Sequence, residues 1–298
     1  MISEMKKYII PIGINVKRTP LLKSFDIDIF KFRKIEEKEL KNFYGITKIR
    51  RDTNGRAKTV SGPEISGRGF LLSISLSGTE TMRLWNTQYV IEFIANEAAD
   101  FEKQITRLLL SFKLLKSQSF FAPIILCEDT TKVDFVKFQS TYKINTNFVL
   151  TKKELHEARD LYYKIAELES EPKIGLILER YNYTIGGNIT EKNLFVELVS
   201  ILESLYLDND TNQLSFRFSL IISYILNNPT KTKFNFDWSK KIYDTRSELI
   251  HSGKSKKYND ELYNSLKENT GKLIIWYLKN NKNYKEIERK IFNILNID

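Results

Sequence analysis

Residues Lys240–Lys257 read KKIYDTRSELIHSGKSKK, and the interpretation of this stretch decides what the rest of the chain is built to hold. Trp238, Ile242, Leu249 and Ile250 give it an apolar stripe at helical period, and Ser252-Gly253 supplies a stop just beyond, since glycine readily takes the left-handed conformation that ends many helices. Arg246 and His251 therefore fall in the last turns of a predicted helix, where unpaired carbonyls favour cations. Imidazole suits proton transfer near neutral pH. The arginine adds a permanent charge with forked donors that match phosphate oxygens, and Lys254, Lys256 and Lys257 follow in what reads as a flexible basic loop. Such a set, with no metal ligand or cofactor, suits cleavage of a phosphodiester, above all RNA, whose 2′-hydroxyl is a built-in nucleophile.

Five residues at about 100° each place Arg246 and His251 about 140° apart around a regular helix, so they share no face. His251 aligns instead with Ser247 and Tyr243. The pair converges only if the helix end unwinds, if Arg246 reaches round, or if a second copy of the helix supplies the complementary residue, which makes a dimeric site attractive. The spacing alone also fits a surface arginine and a capping histidine, because 13 arginines in 298 residues put one at that offset by chance about 4% of the time.

The wider string YDTRSELIHSG resembles the signature of the HEPN superfamily, in particular the Apea-like HEPN group, in which a tyrosine-aspartate pair precedes an Arg-Ser-x-x-x-His-Gly element. Upstream, LVSILESLYL (198–207) and LSFRFSLIISYIL (214–226) resemble that group's glutamate-serine and arginine-bearing helices, in the same order. The resemblance spans residues 152–298 and departs at Ser252, which separates His251 from Gly253 where the group often has glycine directly after histidine. It implies an all-α bundle that dimerises through the motif helix and, in many members, a metal-independent endoribonuclease; other members are binding modules. Arg246, His251 and Ser247 would carry catalysis, supported by Tyr243, Asp244, Glu203 and Arg217. Resemblance also implies antiviral defence or a toxin-like role, with an unknown trigger or restraining partner. The alternative is a non-catalytic nucleic-acid-binding or dimerisation module. For Glu203 and Arg217 a plain surface ion pair is the other reading.

Around this stretch the sequence reads as a run of helices. Thr151 and Glu154 have the capping-box pattern, with Leu155, Ala158, Tyr162 and Ile165 following at helical period. A short helix is expected after Pro172, then helices over 194–205, 214–226, the motif helix, 262–277 and 284–295, which makes an antiparallel bundle the economical packing. His156, among Glu154, Glu157 and Arg159, is expected at the surface.

Residues 1–150 look mixed and strand-rich, so the expected fold is an α+β N-terminal domain (1–150) followed by an all-α HEPN-like helical bundle (151–298). Alternation predicts strands over 25–30 and 70–76, and Asn54-Gly55 a hairpin whose flanks hold Lys48, Arg50, Arg51, Arg56 and Lys58. Arg50, Arg51 and Arg56, with Lys254, Lys256 and Lys257, are the candidate RNA contacts. A helix with Phe101, Ile105, Leu108, Phe112 and Leu115 on one stripe follows, then FFAPIILC (120–127) as a buried strand.

The balance of 47 Lys+Arg against 37 Asp+Glu, +10 overall, points to an anionic partner, nucleic acid first. Residues 1–150 hold 24 against 16 and residues 151–298 hold 23 against 21, so the excess sits in the first half. A single cysteine, Cys127, excludes an intrachain disulfide and argues against a cysteine-based zinc site. No apolar run approaches the roughly 20 residues of a membrane span, and MISEMKKYIIPIGINVK lacks a signal-peptide core. The expectation is a cytoplasmic protein with RNA as partner and no membrane association.

Overall fold

The computed structural model describes residues 5–12, 25–34, 47–51, 57–61, 71–76, 80–85, 89–95, 102–117, 125–127, 133–134, 150–186, 190–207, 213–227, 236–280 and 284–295. By compactness the chain forms two units, one of residues 1–109 and 118–162, the other of 110–117 and 163–298. The N-terminal part is α+β and the C-terminal part is helical.

The first unit holds two sheets. In the larger, β1 (Lys6–Ile12) pairs antiparallel with β8 (Tyr89–Ala95) along its whole length, from Lys6 opposite Ala95 to Ile12 opposite Tyr89. β9 (Ile125–Cys127) and β10 (Val133–Asp134) extend it on one side, β3 (Phe30–Lys34) and β2 (Phe25–Ile27) on the other. Side chains alternate across a strand, so Phe30, Phe32, Ile91, Phe93 and Ala95 are buried while Arg33 and Glu92 pair across the other face. The alternation over 25–30 does not form one strand. Asp28, at φ 55°, and Ile29 turn the chain so that Ile27 pairs with Phe30, a left-handed position that aspartate tolerates better than most residues.

The smaller sheet runs β5-β4-β6-β7, from β4 (Thr47–Arg51), β5 (Ala57–Ser61), β6 (Leu71–Leu76) and β7 (Glu80–Trp85). β4 and β5 form the expected hairpin, with Arg50 opposite Lys58 and Arg51 opposite Ala57; its tip, including Arg56, lies outside the described residues.

The first two helices in chain order are α1 (Glu102–Lys116) and α2 (Lys152–Leu168). The capping box that opens α2 closes as the sequence predicts: the Glu154 amide donates to Thr151 Oγ1 at 3.2 Å, and the Thr151 amide to Glu154 Oε2 at 2.8 Å. Tyr162 then donates to Asp28 at 2.6 Å, beneath the Arg107 guanidinium at 5.1 Å. His156 is half-buried, not at the surface: Phe25 meets its ring edge-on at 5.6 Å and its Nδ1 lies 3.1 Å from Arg159 Nη2. The tight turn at Asp28 brings Phe25 and Asp28 together onto α2, which no local pattern around His156 encodes.

The second unit continues with α3 (Pro172–Gly186), α4 (Glu191–Tyr206), α5 (Leu214–Asn227), α6 (Phe236–Ser252), α7 (Asp260–Asn280) and α8 (Tyr284–Leu295). Pro172 opens α3, where its missing N–H costs nothing. Apolar residues at helical period are buried, Leu198, Ile201, Leu202 and Leu205 on α4, Phe218, Ile221, Ile222 and Ile225 on α5, Leu262, Leu266, Leu273 and Ile274 on α7, while Leu194, Leu214 and Tyr277, on the same expected stripes, are half-buried. The end of α1 belongs to this core. Gly271 lets it approach so closely that an added Cβ would stand 2.2 Å from the Leu114 carbonyl oxygen, and Tyr181 donates to the Lys113 carbonyl at 3.2 Å.

Candidate functional site at the end of α6

The helix that carries the motif is seated by small residues. Its buried positions are Ser239, Ile242, Thr245 and Leu249, spaced three and four apart, and Ser239 Oγ meets Ser223 Oγ of α5 at 3.2 Å. Ile250 is 47% exposed rather than part of the stripe: it lies about 100° round the helix from the buried Leu249. Seating α6 on residue 249 fixes the direction of every motif side chain.

Arg246 turns towards α4, where its Nη2 lies 2.9 Å from Glu203 Oε2. The Tyr243 phenol also feels this glutamate. Burial pushes the Tyr243 phenol up to about 12, with Glu203's charge and hydrogen bond adding to the effect and Arg246 opposing it. The Tyr243 ring packs on Phe218 of α5, centroids 5.3 Å apart, and Arg217 is half-buried beside it in sequence. Arg246 Nε is buried without a hydrogen-bond partner among the described residues. An arginine has five N–H donors, so the contact with Glu203 leaves it capacity for another acceptor.

His251 stands apart from this cluster. α6 stays helical through Ser252, and the Gly253 amide then bonds the Leu249 carbonyl at 3.0 Å with Gly253 at φ 68°. That is the left-handed ending a glycine permits, reached one residue later because of Ser252. The helix end does not unwind, so His251 is exposed and about 140° from Arg246. Ser247, half-buried, is one turn before His251 on its side.

The basic loop beyond is not a loose tether. Lys257 Nζ lies 3.2 Å from Asp244 Oδ2 and 3.1 Å from Glu248 Oε1; Ser255 Oγ donates to Glu248 Oε2 at 2.6 Å. Hydrogen bonds from Ser255 and Lys257 hold the Glu248 carboxyl below its ordinary range. Donating to Glu248 and Asp244 in turn holds the Lys257 amine above its own. Lys254 and Lys256 are exposed. Glu248 and Ser255 were not among the residues expected to matter, although two acids at i and i+4 ahead of a basic loop are a readable signal. Arg50 and Arg51 lie on β4 of the first unit.

Among the described residues no cluster of three or more His, Cys, Asp or Glu could hold a metal ion, and no helix is long and apolar enough to cross a membrane. No family model, no curated protein and no solved structure matches this chain.

Proposed function

We propose that this chain is a metal-independent endoribonuclease of the HEPN type, acting as a homodimer. The observation that carries the reading is the Glu203–Arg246 contact: two residues on separate helices, each singled out by resemblance, meet at 2.9 Å beside Tyr243. His251 takes the proton of the 2′-hydroxyl, the 2′-oxygen attacks phosphorus, the bond to the 5′-oxygen breaks, and that oxygen receives a proton. Products carry a 2′,3′-cyclic phosphate and a 5′-hydroxyl. Arg246, oriented by Glu203, stabilises charge on the phosphoryl group, and Ser247 hydrogen-bonds the imidazole or the phosphate. A second α6 placed beside the first supplies each Arg246 with the partner's His251, which answers the 140° separation within one helix. Asp244 and Arg217 hold the surrounding helices, while the basic hairpin of residues 48–58 binds or senses nucleic acid. The setting implied is defence or a toxin-like role in the cytoplasm.

Labelled total RNA and tRNA incubated in EDTA with wild type and His251→Ala test this. Wild type should cut and the variant should lose roughly 100-fold or more of the rate, with cyclic-phosphate ends in the wild-type products. Full activity in the variant would overturn the assignment of His251. The runner-up, a non-catalytic binding or dimerisation module, is favoured by one observation, that Arg246 already has a carboxylate partner within its own chain. It predicts salt-sensitive RNA binding with no cutting by either protein.

A further inference from the structure

The three lysines after His251 do not share one environment. Lys257 bridges Asp244 and Glu248, two acids one turn apart on α6, and Glu248 also holds Ser255, whose Oγ accepts the Lys257 amide at 3.1 Å. Ser252 Oγ accepts the Lys254 amide at 3.3 Å and donates to the Lys254 carbonyl at 2.7 Å. The loop is thus tied back to the helix at both ends of a four-residue span, 254–257. Its remaining two amines, on Lys254 and Lys256, belong to exposed residues three and five positions after His251, and among the described residues neither meets a carboxylate. Ion pairs this exposed stabilise a fold little, so the arrangement matters for where it puts charge.

We propose that Glu248 is a positioning residue that uses Lys257 as a strut, so that Lys254 and Lys256, and not Lys257, contact RNA phosphates next to His251. This rests on the RNA-directed reading above. With Lys257 neutralised by two carboxylates, its transfer to a phosphate would leave two like charges facing each other on α6.

A labelled 2′-O-methyl oligouridylate, which binds without offering a nucleophile, serves as probe, and affinity is followed against salt. Each phosphate contact contributes about 0.7 to the slope of log K against log salt for a single strand. Lys254→Gln and Lys256→Gln should each lower the slope by about that amount, and Lys257→Gln should leave it unchanged. Asp244→Asn with Glu248→Gln should release Lys257 and raise the slope, and adding Lys257→Gln should restore the wild-type value. Amide exchange gives a readout independent of RNA: in Glu248→Gln the Lys257 amide should exchange at least about fivefold faster, while the Gly253 amide, bonded to Leu249, should not change. A Lys257→Gln slope loss equal to that of its neighbours, or unchanged exchange at Lys257 in Glu248→Gln, would overturn the strut. If wild type binds no oligouridylate, the RNA assignments of Lys254 and Lys256 fall while exchange still decides the role of Glu248.

Discussion

Lys113 and Lys257 belong to the same helical unit and have opposite surroundings. Lys113, on the last turn of α1, is 2% exposed, and its amine is held by the neutral side chain of Asn182 at 2.6 Å. Burial lowers it from its ordinary value to about 8. Lys257 is partly solvated in the turn beyond α6, and two carboxylates hold it above its ordinary value. The difference teaches that this unit's interior bears a cation at a cost to stability, whereas Lys257 of the candidate site carries its charge near water, already paired. Arg246 stands between them, partly buried and held by one carboxylate.

The largest expected effect breaks the interior side of that comparison. Gly271→Ala would drive a methyl into the Leu114 carbonyl, 2.2 Å away, forcing the end of α1, and Lys113 with it, off α7. Urea unfolding should show a loss of about 4 kcal/mol; a loss under 1 kcal/mol would mean that α1 yields without cost.

Lys113 itself gives the next effect. Its folded value, about 8, lies below the 10.5 of an exposed lysine, so the unfolded chain binds more protons between those pH values. Stability therefore rises from pH 8 towards 10.5, and below pH 8 a penalty of about 3 kcal/mol is fully present. Lys113→Met should lose about 2 kcal/mol of the rise that wild type shows between pH 8 and 10. The quantity to compare is the wild-type minus variant difference, since tyrosines titrate in the same range. Parallel pH profiles would show that the amine is not buried as a cation.

Glu203→Gln sharpens the intermediate case. It leaves Arg246 partly buried without its counter-charge, which should cost about 1 kcal/mol, the upper end for an ion pair that water still reaches. It should also move the Tyr243 phenol down from about 12, since Glu203 both charges and hydrogen-bonds it; ultraviolet titration of the phenolate against a Tyr243→Phe control reads this directly. An unmoved titration would mean that Tyr243 is not bonded to Glu203.

Legibility in the sequence follows the range of the interaction. Thr151 and Glu154, three residues apart, were readable as a cap, and the Gly253 stop was readable from composition, because both depend on backbone conformations within one turn. The hairpin around Asn54-Gly55 was readable for the same reason. The break at Asp28 was not: alternation through Phe30 carries no mark of a turn, and only the pairing of Ile27 with Phe30 reveals it. His156 was misplaced because its neighbour Phe25 is 131 residues away in the chain. The contact between Glu203 and Arg246 was reachable by resemblance alone, since nothing local to either residue points at the other.

The sequence by itself determined that residues 151–298 form a succession of helices, roughly where each lies, and much of the apolar stripe on most of them, because period and capping act over a few residues. It also set the charge excess and the succession Arg246, His251, Lys254, Lys256. Only the tertiary structure decided that α6 sits on Leu249 with Ile250 outside. The same packing turns Arg246 to Glu203 and leaves His251 in solvent, and the folded turn commits Lys257 to Asp244 and Glu248. A helix's rotation about its own axis is fixed by what it packs against, and a rotation of about 100° would exchange these roles.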